Sequence, residues 1–353
     1  MRVTQGMMTA NSLRYSQSSY QRLSTLYDQI SAQKKITRFS QDPVVAAKSM
    51  QHRQSLAQME QYKRNVNEAH SWLNQGDTSL KEVSSILKRV RELAVTGSTD
   101  GYGEEERKNI AHELEELRNH LITVANANVN GKYIFNGSDT DNPPVQELSP
   151  SKLNGEKLDN VKITYDGQIY DYDADAGHFV ARGGDDTLVL NGEAIETGTG
   201  DVVAEKDMLI MRISTNQQDV SFELQKGVEI QVNTDARKLF SDELYSDFFM
   251  FEQALLDPET TAEDLGEFIS KIDAHLRNAA DVHGQLGARM NRVDLMEDRL
   301  GQQEYFVKET KSMNEDLDLS EAIMKLLVAE GVHNAALAVT ARIIQPSLLD
   351  FLR

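Results

Sequence analysis

Between residues 59 and 94 the apolar positions fall at Met59, Tyr62, Val66, Ala69, Leu73, Gly76, Leu80, Val83, Leu87, Val90 and Ala94, alternating steps of three and four without a miss. That alternation is the seam of a coiled-coil helix, and at 1.5 Å per residue it predicts a rod of about 53 Å. Asp42 before Pro43 marks a helix start, because a carboxylate can accept orphan N–H groups and proline costs nothing in the first turn. "TGSTDGYGEEE" breaks the rod. Ile110, Leu114, Leu117, Leu121 and Val124 then predict a second helix, folded back as an antiparallel hairpin. Upstream, Leu13, Ser16, Tyr20, Leu23, Tyr27 and Ile30 form a narrower heptad interrupted by one serine.

From about 141 to 237 the period changes. "VKITY", "TLVLNG", "MLIMRIS", "VSFEL" and "VEIQV" are short β-branched runs, and Asn154-Gly155 and Asn191-Gly192 read as hairpin turns. Helix then resumes, with Asp257-Pro258 as a start signal. Leu265, Ile269, Ile272, Leu276, Ala279, His283, Leu286, Met290, Val293, Glu297 and Leu300 keep a heptad. A last stretch from about 317 to 353 places Leu319, Ile323, Leu326, Leu337, Ile344, Leu348 and Phe351 on one approximate face. The expected fold is mainly α with a β insert (α+β): a long antiparallel helical bundle or coiled coil formed by both chain halves, with a small β domain between them. Each terminal seam is too narrow to be buried alone, so the two ends most simply cover each other and their neighbours. An ordinary intramolecular coiled coil accounts for such seams equally well.

Charge narrows the choice of partners. A net charge of −19 disfavours unspecific attraction to nucleic acid or to anionic lipid. The absence of cysteine excludes disulfides, thiolate metal sites and cysteine nucleophiles. The N-terminal "MRVTQGMMTANSLRYSQSSY" has no continuous apolar region of a secretory signal, and no run approaches the roughly 18 apolar residues of a span, so no membrane insertion is expected. "DYDADAG" sets Asp171, Asp173 and Asp175 at calcium-loop spacing, but Ala176 holds the glycine position, Gly177 comes one late and Arg182 stands where a bidentate glutamate belongs. "AHELEEL" lacks the second histidine of a zinc helix, and His112/His120 and His275/His283, two turns apart, suit a helix surface or seam. No nucleotide loop, nucleophile elbow or convergent acid–base pair is visible, so no metal, no cofactor and no enzymatic activity are expected.

The motifs at the two ends are more specific than their periodicity. "SQDPVVAAKSM", "QYKRNVNEA" and "LKEVSSILKRVRELAV" resemble the N-terminal half of bacterial flagellins and hook-associated proteins. "LGARMNRVD" and "SEAIMKLLVAEGVHNAALAVTARIIQPSLLDFLR" resemble the C-terminal half. The likeness covers roughly 1–140 and 240–353. Within the family, "GKYIFNGSDTDNPP" and the opening "MRVTQGMM" are similar to a hook-associated member more than to a flagellin.

The resemblance implies three domains: a terminal coiled coil of 1–42 and 312–353, loose or disordered before assembly; a helical bundle of 43–140 and 238–311 with a β turn at its tip; and an outer β domain of 141–237. It implies a structural, secreted subunit of the extracellular flagellum, joining the hook side to the filament after type III export. The implied partners are hook-associated protein 1, flagellin, an export chaperone on the C-terminal segment and further copies of the chain. On this reading Leu13, Tyr20, Leu23, Tyr27, Ile30, Leu319, Ile323, Leu326, Leu337, Ile344, Leu348 and Phe351 form the assembly surface. Asn130, Gly131, Tyr133, Phe135, Asn136, Gly137, Pro143 and Pro144 shape the bundle tip, where the chain leaves the helices. The alternatives are a flagellin, which shares nearly all of these features, and an extracellular adhesin whose binding module is the β insert.

Overall fold

Helix α1 (Gln5–Ala32) is followed by a linker and then α2 (Pro43–Gly97). Asp42 caps α2: its Oδ1 accepts the N–H groups of Val44 at 3.0 Å and Val45 at 3.1 Å. The computed structural model describes residues 5–99, 103–153, 158–184, 186–192, 194–216, 218–234 and 236–350. The chain divides into two units, one of 1–61 with 299–353 and one of 62–298.

In the second unit the α2 seam is the core. Val66, Ala69, Leu73, Leu80, Val83, Leu87, Val90 and Ala94 are all buried, so both apolar positions of each heptad are covered. One side is covered by α3 (Glu104–Ala125), which buries Ile110, Leu114, Leu121 and Val124. Two side-chain contacts fix its antiparallel direction, the ion pair Arg89–Glu113 at 2.6 Å and the hydrogen bond between His120 Nε2 and Glu82 Oε1 at 2.9 Å. The long helix that returns near the end of the chain, Ala262–Glu315, is also antiparallel to α2. It is tied by Arg91–Asp273 at 2.6 Å, His283–Asp77 at 2.8 Å and His70–Glu297 at 3.0 Å. Its fully buried positions, Leu265, Ile272, Ala279, Leu286 and Val293, recur every seven residues, so this helix offers one buried row where α2 offers two. Gly76 keeps the two close; a Cβ there would sit 3.4 Å from Leu286 Cδ2.

After α3 come a two-residue hairpin, β1 (Asn128–Val129) and β2 (Lys132–Tyr133), and a seven-stranded antiparallel sheet. Its strands are β3 (Val145–Glu147), β4 (Val161–Tyr165), β5 (Gln168–Asp173), β6 (His178–Ala181), β7 (Thr187–Asn191), β8 (Ala194–Thr197) and β9 (Met208–Ile213), in the order β3-β9-β4-β5-β6-β7-β8. Val161, Ile163, Tyr170, Phe179, Leu188, Ile195 and Ile210 fill its core. The β7–β8 turn starts at Gly192, φ +67°, with Asn191 paired to Ala194. Asn154-Gly155 lies outside the described residues.

Within 141–237, expected as one β domain, the strands fall into two sheets. Among the described residues, strands β10 (Ser221–Gln225) and β11 (Val228–Gln231) pair with each other alone, in a sheet of their own. They lie on the helices: Phe222 meets Trp72 edge to face at 6.5 Å, and Asn65 Nδ2 donates to the Glu223 carbonyl at 2.7 Å. The calcium-loop spacing also serves another purpose. Asp171 accepts from Lys162 and Arg182, while Asp173 Oδ1 accepts the Asp175 N–H at 2.9 Å and caps the β5–β6 turn.

The chain then forms a single turn, α4 (Ala236–Leu239), and α5 (Asp242–Leu256), an apolar helix that periodicity did not announce. Ser241 caps α5 through the Leu244 N–H, and Ser246 Oγ hydrogen-bonds Thr164 Oγ1 of β4 at 2.6 Å, tying helix to sheet. Asp257-Pro258, expected as a helix start, closes α5 instead. The long helix, now α6 (Ala262–Glu315), begins after a reciprocal cap in which Asp264 Oδ2 accepts the Thr261 N–H at 2.9 Å and Thr261 Oγ1 accepts the Asp264 N–H at 3.3 Å.

Candidate assembly surface

The first unit contains the last helix, α7 (Leu319–Asp350), antiparallel to α1. Three side-chain bonds set the register: Ser12 Oγ with Thr340 Oγ1 at 2.6 Å, Ser19 Oγ with His333 Nδ1 at 2.7 Å, and Tyr27 Oη donating to Glu330 Oε1 at 2.7 Å. Half-buried Ser12, Ser16, Ser19, Leu23, Leu26 and Ile30 of α1 face Ala322, Leu326, Ala329, His333, Ala336 and Thr340 of α7. Both rows step by four and three, the spacing of a coiled-coil seam. Most of these side chains are small, which lets the two backbones approach closely.

This corrects the expected seam. Of the proposed assembly residues, Leu23, Ile30 and Leu326 lie in the contact between α1 and α7. Leu13, Leu319, Ile323 and Leu337 are exposed, and exposed Tyr20 and Tyr27 reach α7 only at its edge, at the His333 ring and the Glu330 carboxylate. The side chains of Ile344 and Leu348, and all of Phe351, lie outside the described residues. Outward on α7 the structure adds Met324, Leu327, Val328, Val332 and Val339, which sequence reading passed over. The segment Leu319–Arg342 has the length and composition of a membrane-crossing helix, with mean hydropathy 1.4 and 11% of its apolar window buried. Glu321, Lys325, Glu330 and Arg342 interrupt it, so it holds no uninterrupted apolar run of that length. The pair hides small residues and shows large apolar ones.

Where α1 ends, the chain is clamped to the junction between α6 and α7. Gln33 takes a left-handed turn at φ +53°. The Lys35 N–H then donates to the Glu315 carbonyl at 2.8 Å, and the Leu317 N–H to the Gln33 carbonyl at 3.1 Å. The buried Glu315 carboxylate accepts from Lys34, Arg53 and Ser49. Burial opposes its ionisation, but those three donors outweigh it and hold its pKa down to about 2.

The tip residues of the second unit have a clear geometry. Val129 pairs with Lys132, and Asn130 (φ +53°) with Gly131 (φ +81°) makes the two-residue turn between them, the mirror-image type that Asn-Gly favours. Half-buried Tyr133 donates its N–H to the Thr140 carbonyl, and buried Phe135 meets Phe240 edge to face at 5.1 Å. Asn136 Nδ2 donates to the Asn142 carbonyl at 2.9 Å. Gly137, φ +56°, has no room for a side chain, because the Gln218 carbonyl occupies it. After Pro143, the Pro144 carbonyl accepts the Ser214 N–H at 2.8 Å, and Val145 enters β3 opposite Ile213.

Residues 3–140 match the bacterial flagellin N-terminal helical region and residues 269–352 the bacterial flagellin C-terminal helical region, together more than half of the chain. The chain belongs to the bacterial flagellin superfamily. Flagellar hook-associated protein 3 of Salmonella typhimurium (strain LT2) is 27% identical over 158 residues, 44% of this chain and 50% of that protein. The same protein of Escherichia coli (strain K12) is 26% identical over 156 residues, 44% and 49%. The match spans about half the length of these curated relatives. The 41 kDa flagellar filament core protein of Borreliella burgdorferi is 22% identical over 302 residues, 82% of this chain and 80% of that protein. In fold, this flagellin-superfamily chain is similar to a hook-associated-type flagellar protein of Vibrio parahaemolyticus, with TM-score 0.56 and 17% identity, covering 78% of this chain and 99% of that one. It is also similar to Bacillus cereus FlgL, with TM-score 0.50 and 17% identity, covering 74% and 99%.

Proposed function

We propose that this flagellin-superfamily chain is a structural subunit of the extracellular flagellum that connects the hook to the filament, and that it performs no covalent chemistry. The observation that carries this reading is the α1–α7 pair, whose outward rows of large apolar residues require a protein neighbour. Burying one such side chain is worth about 1.5–3 kcal/mol, so a row of them is a strong drive to associate. The relatives named hook-associated protein 3 and the tip segment favour a junction subunit over a filament subunit.

On this reading the three domains are the terminal pair (1–42 with 312–353), the bundle (43–140 with 238–311) and the β domain (141–237), whose seven-stranded sheet faces outward while its β10–β11 hairpin lies on the bundle helices. Hook-associated protein 1 lies on one side and flagellin on the other, with further copies of this chain in the same layer. Before assembly an export chaperone covers the apolar C-terminal segment, as a groove covers an amphipathic helix, and the chain leaves by type III export.

Deleting the gene tests this. The expected result is hooks without filaments and flagellin shed into the medium as soluble subunits. Bare hooks with no shed flagellin would identify the filament subunit instead, and normal filaments would overturn both.

A further inference from the structure

In the first unit, the linker after α1 and the start of α2 enclose a groove of about 330 Å³. Ile36, Phe39, Ala46 and Met50 supply its apolar surface, with Phe39 67% and Met50 57% exposed. Three cations, Lys34, Arg38 and Arg53, rim it. The one carboxylate lining it, Glu315, is buried and already holds Lys34 and Arg53. The Arg38 side chain is 74% exposed, and its one contact among the described residues is a long ion pair with Asp28, at 3.9 Å. In a chain of net charge −19 this is an apolar groove with a basic rim. Its charge and shape fit an apolar ridge flanked by a carboxylate.

The same unit carries such a ridge. On α6, Phe306 and Met313 are 66% and 67% exposed, seven residues apart and so on one stripe. Exposed Glu309 lies between them. Phe306 precedes Glu315 by nine residues, about two and a half turns, so the stripe is on the opposite face of α6 from the carboxylate that lines the groove. A groove and a ridge on opposite faces of one body cannot meet within a chain, so a contact between them would join different copies head to tail. Contacts of that kind build rings and helical arrays rather than closed pairs.

We propose that the groove at Phe39 and Met50 receives the Phe306–Met313 ridge of a second copy of this chain, with Arg38 opposite the neighbour's Glu309. The inference rests on the junction reading, in which copies lie side by side, and names the contact between them. It does not use the outward rows of α1 and α7.

The test is a charge exchange in the full-length chain, with association followed by sedimentation over a concentration series. Wild type is expected to associate progressively. Arg38→Glu alone and Glu309→Arg alone should each weaken association roughly tenfold, and the double variant should restore it. Phe306→Ala should weaken it as well. Because Arg38, Glu309 and Phe306 are exposed, circular dichroism of every variant should match wild type. A chain that stays monomeric throughout, or single variants that associate as wild type does, would overturn the proposal. So would a double variant as weak as the singles, since the groove would then receive some other surface. Gene deletion reports on the junction role by itself. Bare hooks shedding flagellin, alongside an indifferent charge exchange, would leave that role standing and remove only this contact.

Discussion

Ser12 Oγ of α1 and Thr340 Oγ1 of α7 lie 2.6 Å apart, across 328 residues of sequence. A hydroxyl pair at this place belongs to a seam in which small side chains (serine, alanine, threonine) alternate with Leu23, Leu26, Ile30 and Leu326, while many large apolar residues are left outside. Seam and surface are therefore separable by mutation. Ala329→Leu, at a buried seam position, should force the helices apart and cost about 1–3 kcal/mol. Leu327→Asp with Val328→Asp, at exposed positions, should leave the pair folded and abolish assembly. Thermal melts by circular dichroism, beside filament counts on cells, separate the two. A Leu327/Val328 variant that loses its helical signal would contradict the assignment of faces.

Much of this architecture was legible in the residues, and the misreadings have a physical cause. A scan for apolar period finds Leu13, Tyr20 and Tyr27 because they are large and recur every seven residues. It passes over Ser12 and Ser19 and counts Ser16 only as an interruption, though all three lie in the contact within the chain. In α1 the large apolar row is left exposed, whereas the equally regular row of α2 is buried. Helix α5 escaped notice because "FFMF" is apolar on adjacent positions, being covered by α3 on one side and the sheet on another, so no polar face interrupts it. The place of β10 and β11 depends on Phe222 meeting Trp72, a pairing over 150 residues that local pattern does not contain. The caps at Asp42 and the turn at Asn130-Gly131 were readable because their chemistry is complete within four residues.

Glu315 gives the first unit a dependence on acid. Its pKa in the folded chain, about 2, lies below that of an unfolded glutamate, near 4.5. Its contribution is therefore complete above about pH 4.5 and is lost as pH falls towards 2. Lys34 and Arg53 are partly exposed, which limits the contribution to about 2–3 kcal/mol at neutral pH. Glu315→Gln should be less stable than wild type at pH 7 and should lose that difference near pH 2. Urea unfolding of both proteins from pH 7 to pH 2 measures this, and parallel curves would refute it.

At the tip, two glycines with left-handed backbones should respond unequally to alanine. Gly131 (φ +81°) has open space where a Cβ would go, so Gly131→Ala should cost only the backbone strain, about 1 kcal/mol. Gly137 (φ +56°) adds a collision with the Gln218 carbonyl, which also accepts the Ser138 N–H at 3.1 Å. Gly137→Ala should therefore cost about 2–4 kcal/mol and loosen the loop after β9. Chemical denaturation of the two variants supplies the comparison, and equal losses would show that the Gln218 segment yields freely.

Trp72 is the chain's single tryptophan, buried against the edge of Phe222, and so its fluorescence reports on the seating of β10 and β11. Since this hairpin pairs with no other strand among the described residues, its side chains carry most of its attachment, and Asn65 adds a hydrogen bond to the Glu223 carbonyl. Phe222→Ala removes the ring and leaves a gap beside the indole, which should cost about 2–4 kcal/mol. Water reaching the indole should shift its emission to longer wavelength before the helices melt. The seven-stranded sheet, with its own core around Ile163 and Phe179, should keep its amide protection in hydrogen exchange. Loss of protection across β4–β7 in this variant would mean that the hairpin and the sheet unfold as one body, against the division of the β residues into two sheets.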